Sequence, residues 1–194
     1  YSNVTGSNNT ALGYYALRLS TSSNNTAVGH YAASGNTSGT RVIAVGGGTV
    51  SATNTGSYLV AIGHSALGAN TSGGYNVAVG DSALLSNTTG ATNTAVGTNA
   101  LAGNTTGQRN VAVGFLAFDA ANTGSYSVAV GYSALGANTS GNFNVAIGDS
   151  ALISNTTASN NVAISYAALN VNTTGANNIA IGYTALSSNT TASN

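Results

Sequence analysis

The sequence predicts an all-β protein, a parallel β-solenoid (β-roll) of eleven 17-residue coils. Three observations predict this fold: a tandem repeat, a strand pattern within each repeat, and a composition unsuited to helix. The tripeptide Ala-(Val/Leu/Ile)-Gly recurs every 17 residues after a first interval of 16. Self-similarity at a fixed period is the signature of repeat architectures, so residues 1–194 are expected to form a single array. Its units close at Gly13, Gly29, Gly46, Gly63, Gly80, Gly97, Gly114, Gly131, Gly148, Ser165 and Gly182.

The unit at residues 76–92 reads NVAVGDSALLSNTTGAT, and its residues define positions one to seventeen. Within 76–80, two Val residues alternate with Ala at the period of two that a strand requires, and Gly80 ends the run with a turn. A second short strand is expected over residues 83–88, before a turn at Thr89 and Gly90. Coils stacked through parallel strands lie about 4.8 Å apart, so eleven coils predict a rod of roughly 50 Å.

A longer period is superimposed on the first. The segment that begins at Gly56 returns with few changes from Gly124, an offset of four units. Surface features are therefore expected to recur every fourth coil.

The composition excludes several classes of protein. Only six of 194 residues are charged, with zero formal net charge and no Cys. No basic cluster could bind nucleic acid, no disulfide framework or thiolate can form, and no apolar run could insert into a membrane. No cofactor is predicted. The charged residues are Arg18, Arg41, Arg109, Asp81, Asp119 and Asp149.

Position three is Ala in all eleven units. Positions two and four carry larger apolar residues or Thr, so we expect them to fill the coil interior and position three to face outward. An unvarying outward Ala row indicates a second buried contact, because solvent-facing positions tolerate polar residues. The sequence thus predicts a homo-oligomer, a trimer about a three-fold axis, packed through Ala61, Ala78, Ala95, Ala112, Ala129 and Ala146.

Units of the form NTAVGxxALxxNTTGxx resemble repeats of bacterial and phage tail-fibre-like proteins. They are also similar to the head repeats of trimeric autotransporter adhesins, which share the (S/T/V)-A-(I/V)-G core. The resemblance covers essentially the whole chain and implies a trimeric, left-handed β-roll in an extracellular fibre, at a cell surface or in a virion tail fibre. The adhesin heads use a shorter unit, near fourteen residues, and the resemblance implies no functional site residue.

Position twelve is Asn in eight units, each followed two residues later by Ser or Thr. Such a column predicts an amide ladder inside the coil, and the same residues match the N-glycosylation sequon. Both interpretations stay open, with the ladder favoured because the motif follows the structural period. The eight are Asn36, Asn70, Asn87, Asn104, Asn138, Asn155, Asn172 and Asn189.

Eleven of the thirteen aromatic residues fall at positions six, seven and seventeen, which flank the first strand at the coil corners. At position seventeen an Arg is followed by two aromatic residues, twice, four coils apart. Cation–π stacks there would form a surface platform for glycans or another fibre, or would simply stabilise coil stacking. The candidate platform is Arg41, Tyr58, Tyr75, Arg109, Tyr126 and Phe143.

Catalytic and metal-binding patterns are weak. His64 and Asp81 share position six on adjacent coils, with Ser65 and Ser82 beside them, but a convex rod offers no cleft for a catalytic triad. The equivalent site four coils on has Tyr132 in place of His64. Three Asp residues on separate coils cannot supply the oxygen ligands of Ca²⁺. The chain is therefore expected to be no enzyme.

Two functional hypotheses follow. The first is a rigid extracellular fibre segment, a stalk or head that serves attachment in an adhesin or tail fibre. The second is a binding rod that recognises a host surface or glycans through its corner aromatics; ice binding is disfavoured because the adjacent Thr88 and Thr89 would point opposite ways. Ordinary units at both ends suggest an array cut from a longer chain, or coils that continue between molecules as a head-to-tail filament.

Overall fold

A computed structural model describes residues 5–193 and shows an all-β solenoid. One strand per coil joins a single parallel sheet in sequence order. The strands are β1 (Thr10–Leu12), β2 (Thr26–Val28), β3 (Val42–Val45), β4 (Leu59–Ile62), β5 (Val77–Val79), β6 (Thr94–Val96), β7 (Val111–Val113), β8 (Val128–Val130), β9 (Val145–Ile147), β10 (Val162–Ile164) and β11 (Ile179–Ile181). The predicted fold class and repeat are confirmed.

Register is kept throughout the sheet, because the repeat length is 17 residues in every coil after the first. Ala78 pairs with Ala61 on one side and with Ala95 on the other, and the same position-three pairing continues from β1 to β11. Even the 16-residue first coil keeps it, since Ala11 pairs with Ala27. We number the coils one to eleven by their strands.

The expected second strand over residues 83–88 is wrong. Residues 81–86 form turns, because the backbone at Ser82 and Leu84 has φ of 56° and 52°, in the left-handed region. Two such residues separated by one other curl the chain instead of extending it. Coils still bond to each other here, as the Leu84 N–H donates to the Ala100 carbonyl at 3.0 Å.

Glycine at position five ends each strand except β10, where Ser165 takes its place. Gly97 has φ of 130°, a conformation that L side chains rarely adopt. A Cβ at Gly97 would lie 2.5 Å from the carbonyl oxygen of Gly114 in the next coil. The glycine column therefore allows neighbouring backbones to approach closely at this corner.

The inward and outward faces of the strand are the reverse of the expectation. The position-three alanines from Ala27 to Ala163 are completely buried inside the single chain. Positions two and four face outward, as Ile43 and Ile62 show with 43% and 39% exposure. We attribute this to volume: the position-three alanines share one buried core with position-eight and position-nine residues such as Ala83 and Leu84, and a larger side chain would overpack it.

Among the described residues, none belongs to a helix of the length and apolarity needed to cross a membrane.

Candidate functional site

The outer face of the sheet is an apolar strip formed by positions two and four of every coil. We call these two rows the sheet face. In β5 to β9 they consist of Val and Ile apart from Thr94, and no charged residue occupies either row in any coil. Eleven strands about 4.8 Å apart, each about 10 Å long, give an area on the order of 500 Å². That is as large as the largest apolar patch of a typical monomer.

The sheet face changes the interpretation of the predicted packing row. Ala61, Ala78, Ala95, Ala112, Ala129 and Ala146 are completely buried within the chain, so they cannot contact a second molecule. Placing them on the outer face was wrong. Any lateral contact through this side of the coil must use the Val and Ile residues that flank them.

The position-twelve asparagines form a column of buried amides along the rod axis. Asn87 Nδ2 donates to Asn70 Oδ1 at 2.8 Å and to the Gly90 carbonyl at 3.0 Å. Asn104 Nδ2 donates to Asn87 Oδ1 in turn, at 2.8 Å. The same amide-to-amide bond links Asn155 to Asn138, Asn172 to Asn155 and Asn189 to Asn172. This placement favours the ladder over glycosylation, because the amide groups are bonded inside the coil.

Sequence reasoning missed two members of this ladder. Asn54 and Asn122 come one residue late, at position thirteen, yet both are completely buried. Asn54 Nδ2 donates to Asn36 Oδ1 at 2.7 Å, and Asn70 Nδ2 donates to Asn54 Oδ1 at 2.7 Å. Asn122 donates to Asn104 at 3.1 Å. The signal for them was the neighbouring Thr-Gly turn, which keeps its place in the unit.

A second buried Asn row at position one was also missed. Asn76 Oδ1 accepts the Asn93 N–H at 2.9 Å, and Asn76 Nδ2 donates to the Gly90 carbonyl at 2.8 Å. Gly90 thus accepts bonds from both Asn rows. The recurrence of Asn at position one in eight of eleven units was the available signal. One half of the coil interior is therefore polar and bonded, and the other half is apolar.

The Arg and aromatic residues of position seventeen form the two expected stacks. The Arg41 guanidinium lies 4.9 Å from the Tyr58 ring centre and donates to its hydroxyl at 2.7 Å. Tyr58 stacks on Tyr75 with ring centres 4.7 Å apart. Four coils on, Arg109 covers Tyr126, and Tyr126 stacks on Phe143 at 5.0 Å.

These stacks run along the rod axis, so the faces of Tyr58 and Tyr126 are occupied on both sides. Sugars bind aromatic residues through ring faces, and within these two stacks only Tyr75 and Phe143 keep a ring face that no ring or guanidinium of residues 5–193 covers. The arrangement stabilises coil stacking. Glycan binding by this row stays a prediction.

The His64 and Asp81 side chains meet on the surface, as their shared position predicts. His64 Nδ1 lies 3.4 Å from Asp81 Oδ1, and both side chains are more than half exposed. Ser82 donates to Asp81 Oδ2 at 3.0 Å, so this hydroxyl is bonded to the carboxylate and not to the imidazole. Within residues 5–193, His, Asp and the other metal-binding types form no group of three that could hold a metal ion.

Asp119 is the carboxyl group whose environment alters its titration. Partial burial at position ten raises the pKa of Asp119 above its ordinary value, and a backbone hydrogen bond acts in the opposite direction. Its neighbours on the same side of the rod include Gly136, so the group lies on the turn surface away from the sheet face.

A concave site opens beside coil three, on the turn side of the rod. Gly47 and Gly48 occupy positions six and seven there, where neighbouring coils carry side chains. The resulting cavity of about 560 Å³, which we call the coil-three notch, is lined among others by Arg18, His30, Tyr31, Gly47, Ser51 and His64. Sequence reasoning did not identify Gly47 and Gly48 as part of a site, because a gap between coils is visible only once the coils are stacked.

Comparison with protein-family models, with curated proteins and with solved structures finds no match to this chain. Its function is therefore argued from the geometry described above.

Proposed function

We propose that the protein is a non-enzymatic structural segment of an extracellular fibre, a rigid rod that serves attachment. The observation that carries the proposal is the unbroken in-register sheet of eleven strands. Each coil is bonded to the next by backbone bonds at the strand and at the turns, and by buried Asn side chains between them. A stack of this kind resists bending because bending would lengthen several rows of hydrogen bonds at once.

The proposed rod associates laterally with copies of itself, as a trimer, through the sheet face. An uncharged apolar strip that runs the length of the rod supports this assignment, since repeated identical coils present the same contact at every level. Three such strips facing a common axis would bury one another and leave the turns and corner aromatics outside. The tail-fibre and adhesin repeats that the units resemble suggest the same assembly.

The test places charges on the sheet face. We expect the chain to sediment as a trimer, and Val79→Lys combined with Val113→Lys to convert it to a folded monomer, because Lys buried in an apolar contact lacks a partner. Thr106→Lys with Ser140→Lys is the matched control, because it adds the same charge at the same two-coil separation on exposed turn residues. Analytical ultracentrifugation and small-angle X-ray scattering would measure mass and length.

Two outcomes would contradict the proposal. A native chain that stays monomeric at high concentration would contradict the proposed lateral assembly. A scattering profile without the roughly 50 Å rod dimension expected for eleven stacked coils would contradict the proposal that the chain is a rigid rod.

A further inference from the structure

We propose that the coil-three notch is a binding site for an acidic saccharide, a sugar ring that carries a carboxylate. This site is separate from the aromatic row at position seventeen and does not depend on lateral assembly of the rod. It rests on the shape of the notch, on the ring that coil seven carries at the corresponding position, and on the chemistry of the walls.

The shape follows from missing side chains. At position six, His30 belongs to coil two and His64 to coil four, with Gly47 between them. Two coil spacings amount to about 9.6 Å, and contact distances of about 3.5–4.0 Å on each side leave room for one ring. A Cβ built on Gly47 meets nothing closer than 3.7 Å, at the imidazole of His64. A Cβ would thus make ordinary van der Waals contacts there, so the slot has room for added atoms.

Coil seven carries a ring at the position that is Gly47 in coil three. It lies four coils further on and repeats the same backbone: Asn122 pairs with Asn104 as Asn54 pairs with Asn36. Position six of coil seven is Phe115, whose ring stacks on Tyr132 at 5.9 Å between centres. A position-six ring thus packs on the position-six ring of the following coil. In coil three the corresponding place beside His64 carries no side chain, and a ligand ring can occupy it.

A bulge completes the wall of the notch. In coil three the ladder Asn is Asn54, at position thirteen, so the segment before it, Ser51, Ala52 and Thr53, is one residue longer than in a typical coil. Gly35 in coil two accommodates them, since a Cβ there would lie 2.3 Å or less from the Ser51 and Ala52 carbonyl oxygens. The exposed hydroxyls of Ser51 and Thr53 border the cavity and supply hydrogen-bonding groups.

The charge of the walls selects the ligand class. Arg18 carries the one formal charge among the residues that line the notch, and it lies over the Tyr15 ring at 5.0 Å. Asp81 lies beyond His64, outside the lining. A guanidinium pairs with a carboxylate through two parallel hydrogen bonds. The imidazole of His30 and the ring of Tyr31, whose centres are 4.4 Å apart, offer apolar surface to the C–H groups of a sugar.

The experiment compares two ligands that differ only in the carboxylate: methyl β-D-glucuronide and methyl β-D-glucoside. Binding to the full chain would be followed by titration of backbone amide shifts and by ligand-detected saturation-transfer NMR. We expect the glucuronide to shift the amides of Gly47 and Gly48 and to bind about tenfold more tightly than the glucoside, the ratio that one charge-assisted bond supplies.

Three variants locate the site. Gly47→Phe places in coil three the ring that coil seven carries naturally, and is expected to abolish binding of the glucuronide. Arg18→Gln leaves the slot open and is expected to remove the preference for the glucuronide. Thr98→Phe puts the same ring at position six of coil six, outside the notch, and should bind like the native chain. Circular dichroism would establish that each variant is folded.

The proposal is overturned if neither ligand shifts the notch amides, if Gly47→Phe binds the glucuronide as the native chain does, or if the two ligands bind equally. Should Gly47→Phe fail to fold, Arg18→Gln alone decides, since an unchanged preference for the glucuronide in that variant contradicts the proposed carboxylate contact.

Discussion

At the scale of single residues, the fold depends on backbone conformations that most side chains avoid. In a typical coil the residues at positions seven, nine and seventeen have positive φ, as Ser82, Leu84 and Thr92 show with values from 52° to 59°. Each such residue costs roughly 1–2 kcal/mol relative to an ordinary conformation. The coil accepts this cost because these residues turn the corners and direct Leu84 into the interior, where it is completely buried.

Gly97→Ala is expected to destabilise the protein by at least about 1–3 kcal/mol, from the strained φ alone. The added Cβ would also contact the Gly114 carbonyl oxygen at 2.5 Å. Gly47→Ala is the control, because a Cβ there would meet no atom closer than 3.7 Å and its φ is not in the positive region. Chemical denaturation would measure both, and equal midpoints for the two variants would contradict the role of the glycine column.

Asn87→Ala is expected to destabilise by about 2–4 kcal/mol, because it leaves the Asn70 Oδ1 without its ladder bond and removes the acceptor used by Asn104. Asn170→Ala is the contrasting variant. The Asn170 Oδ1 is buried without a hydrogen-bond partner, and the equivalent residue of coil six is Ala102. That substitution should be neutral or stabilising, and thermal unfolding of the two variants would distinguish them.

At the scale of the element, each coil is a unit whose neighbours satisfy its polar groups. The strand contributes only three or four residues, too few for a stable strand alone. The rest of the coil is turns, whose N–H groups bond partly within the coil, as from Asn87 to the Leu84 carbonyl, and partly to adjacent coils, as from Leu84 to the Ala100 carbonyl. Stability is then a sum of coil and interface contributions, as in other repeat proteins.

Removal of residues 77–93 is expected to leave a folded rod of ten coils, because it joins Asn76 to Thr94 and recreates the native Asn93-Thr94 junction. The denaturant m-value should fall by about one tenth, in proportion to the surface lost. Removal of residues 77–84 breaks the register of both Asn rows and should prevent cooperative unfolding. A folded rod from the second deletion would contradict the coil as the unit of stability.

At the scale of the whole molecule, the rod is stabilised almost without charges. Stacked identical coils would place repeated charges about 4.8 Å apart, where like charges repel strongly. The three Arg residues instead lie over Tyr rings at 4.9–5.2 Å, and the one ion pair within residues 5–193 is the exposed contact of His64 with Asp81. Cohesion comes from the hydrogen-bonded amide rows and from the buried Ala and Leu residues.

The midpoint of thermal unfolding is therefore expected to change by less than about 3 °C between roughly 0.02 M and 0.5 M NaCl, a range over which the screening length of charges shortens severalfold. Scanning calorimetry across this range would measure it. A large fall of the midpoint in NaCl would show that ion pairs contribute more than the described contacts allow.

The sequence by itself determined the parallel solenoid, the length of its coil, the place of its strand and the stacking of the position-seventeen Arg and aromatic residues, because all of these follow from a fixed period. It also indicated the buried Asn column.

Alternation along a strand defines two faces, yet it does not say which of them is inside. Only the tertiary structure decided that Ala78 is buried and Val77 and Val79 face outward, because Ala78 shares a closely packed core with Ala83 and Leu84 in which a small side chain packs best. The late residues Asn54 and Asn122 and the slot at Gly47 were likewise decided by stacking, since each is defined by what the coils above and below contribute.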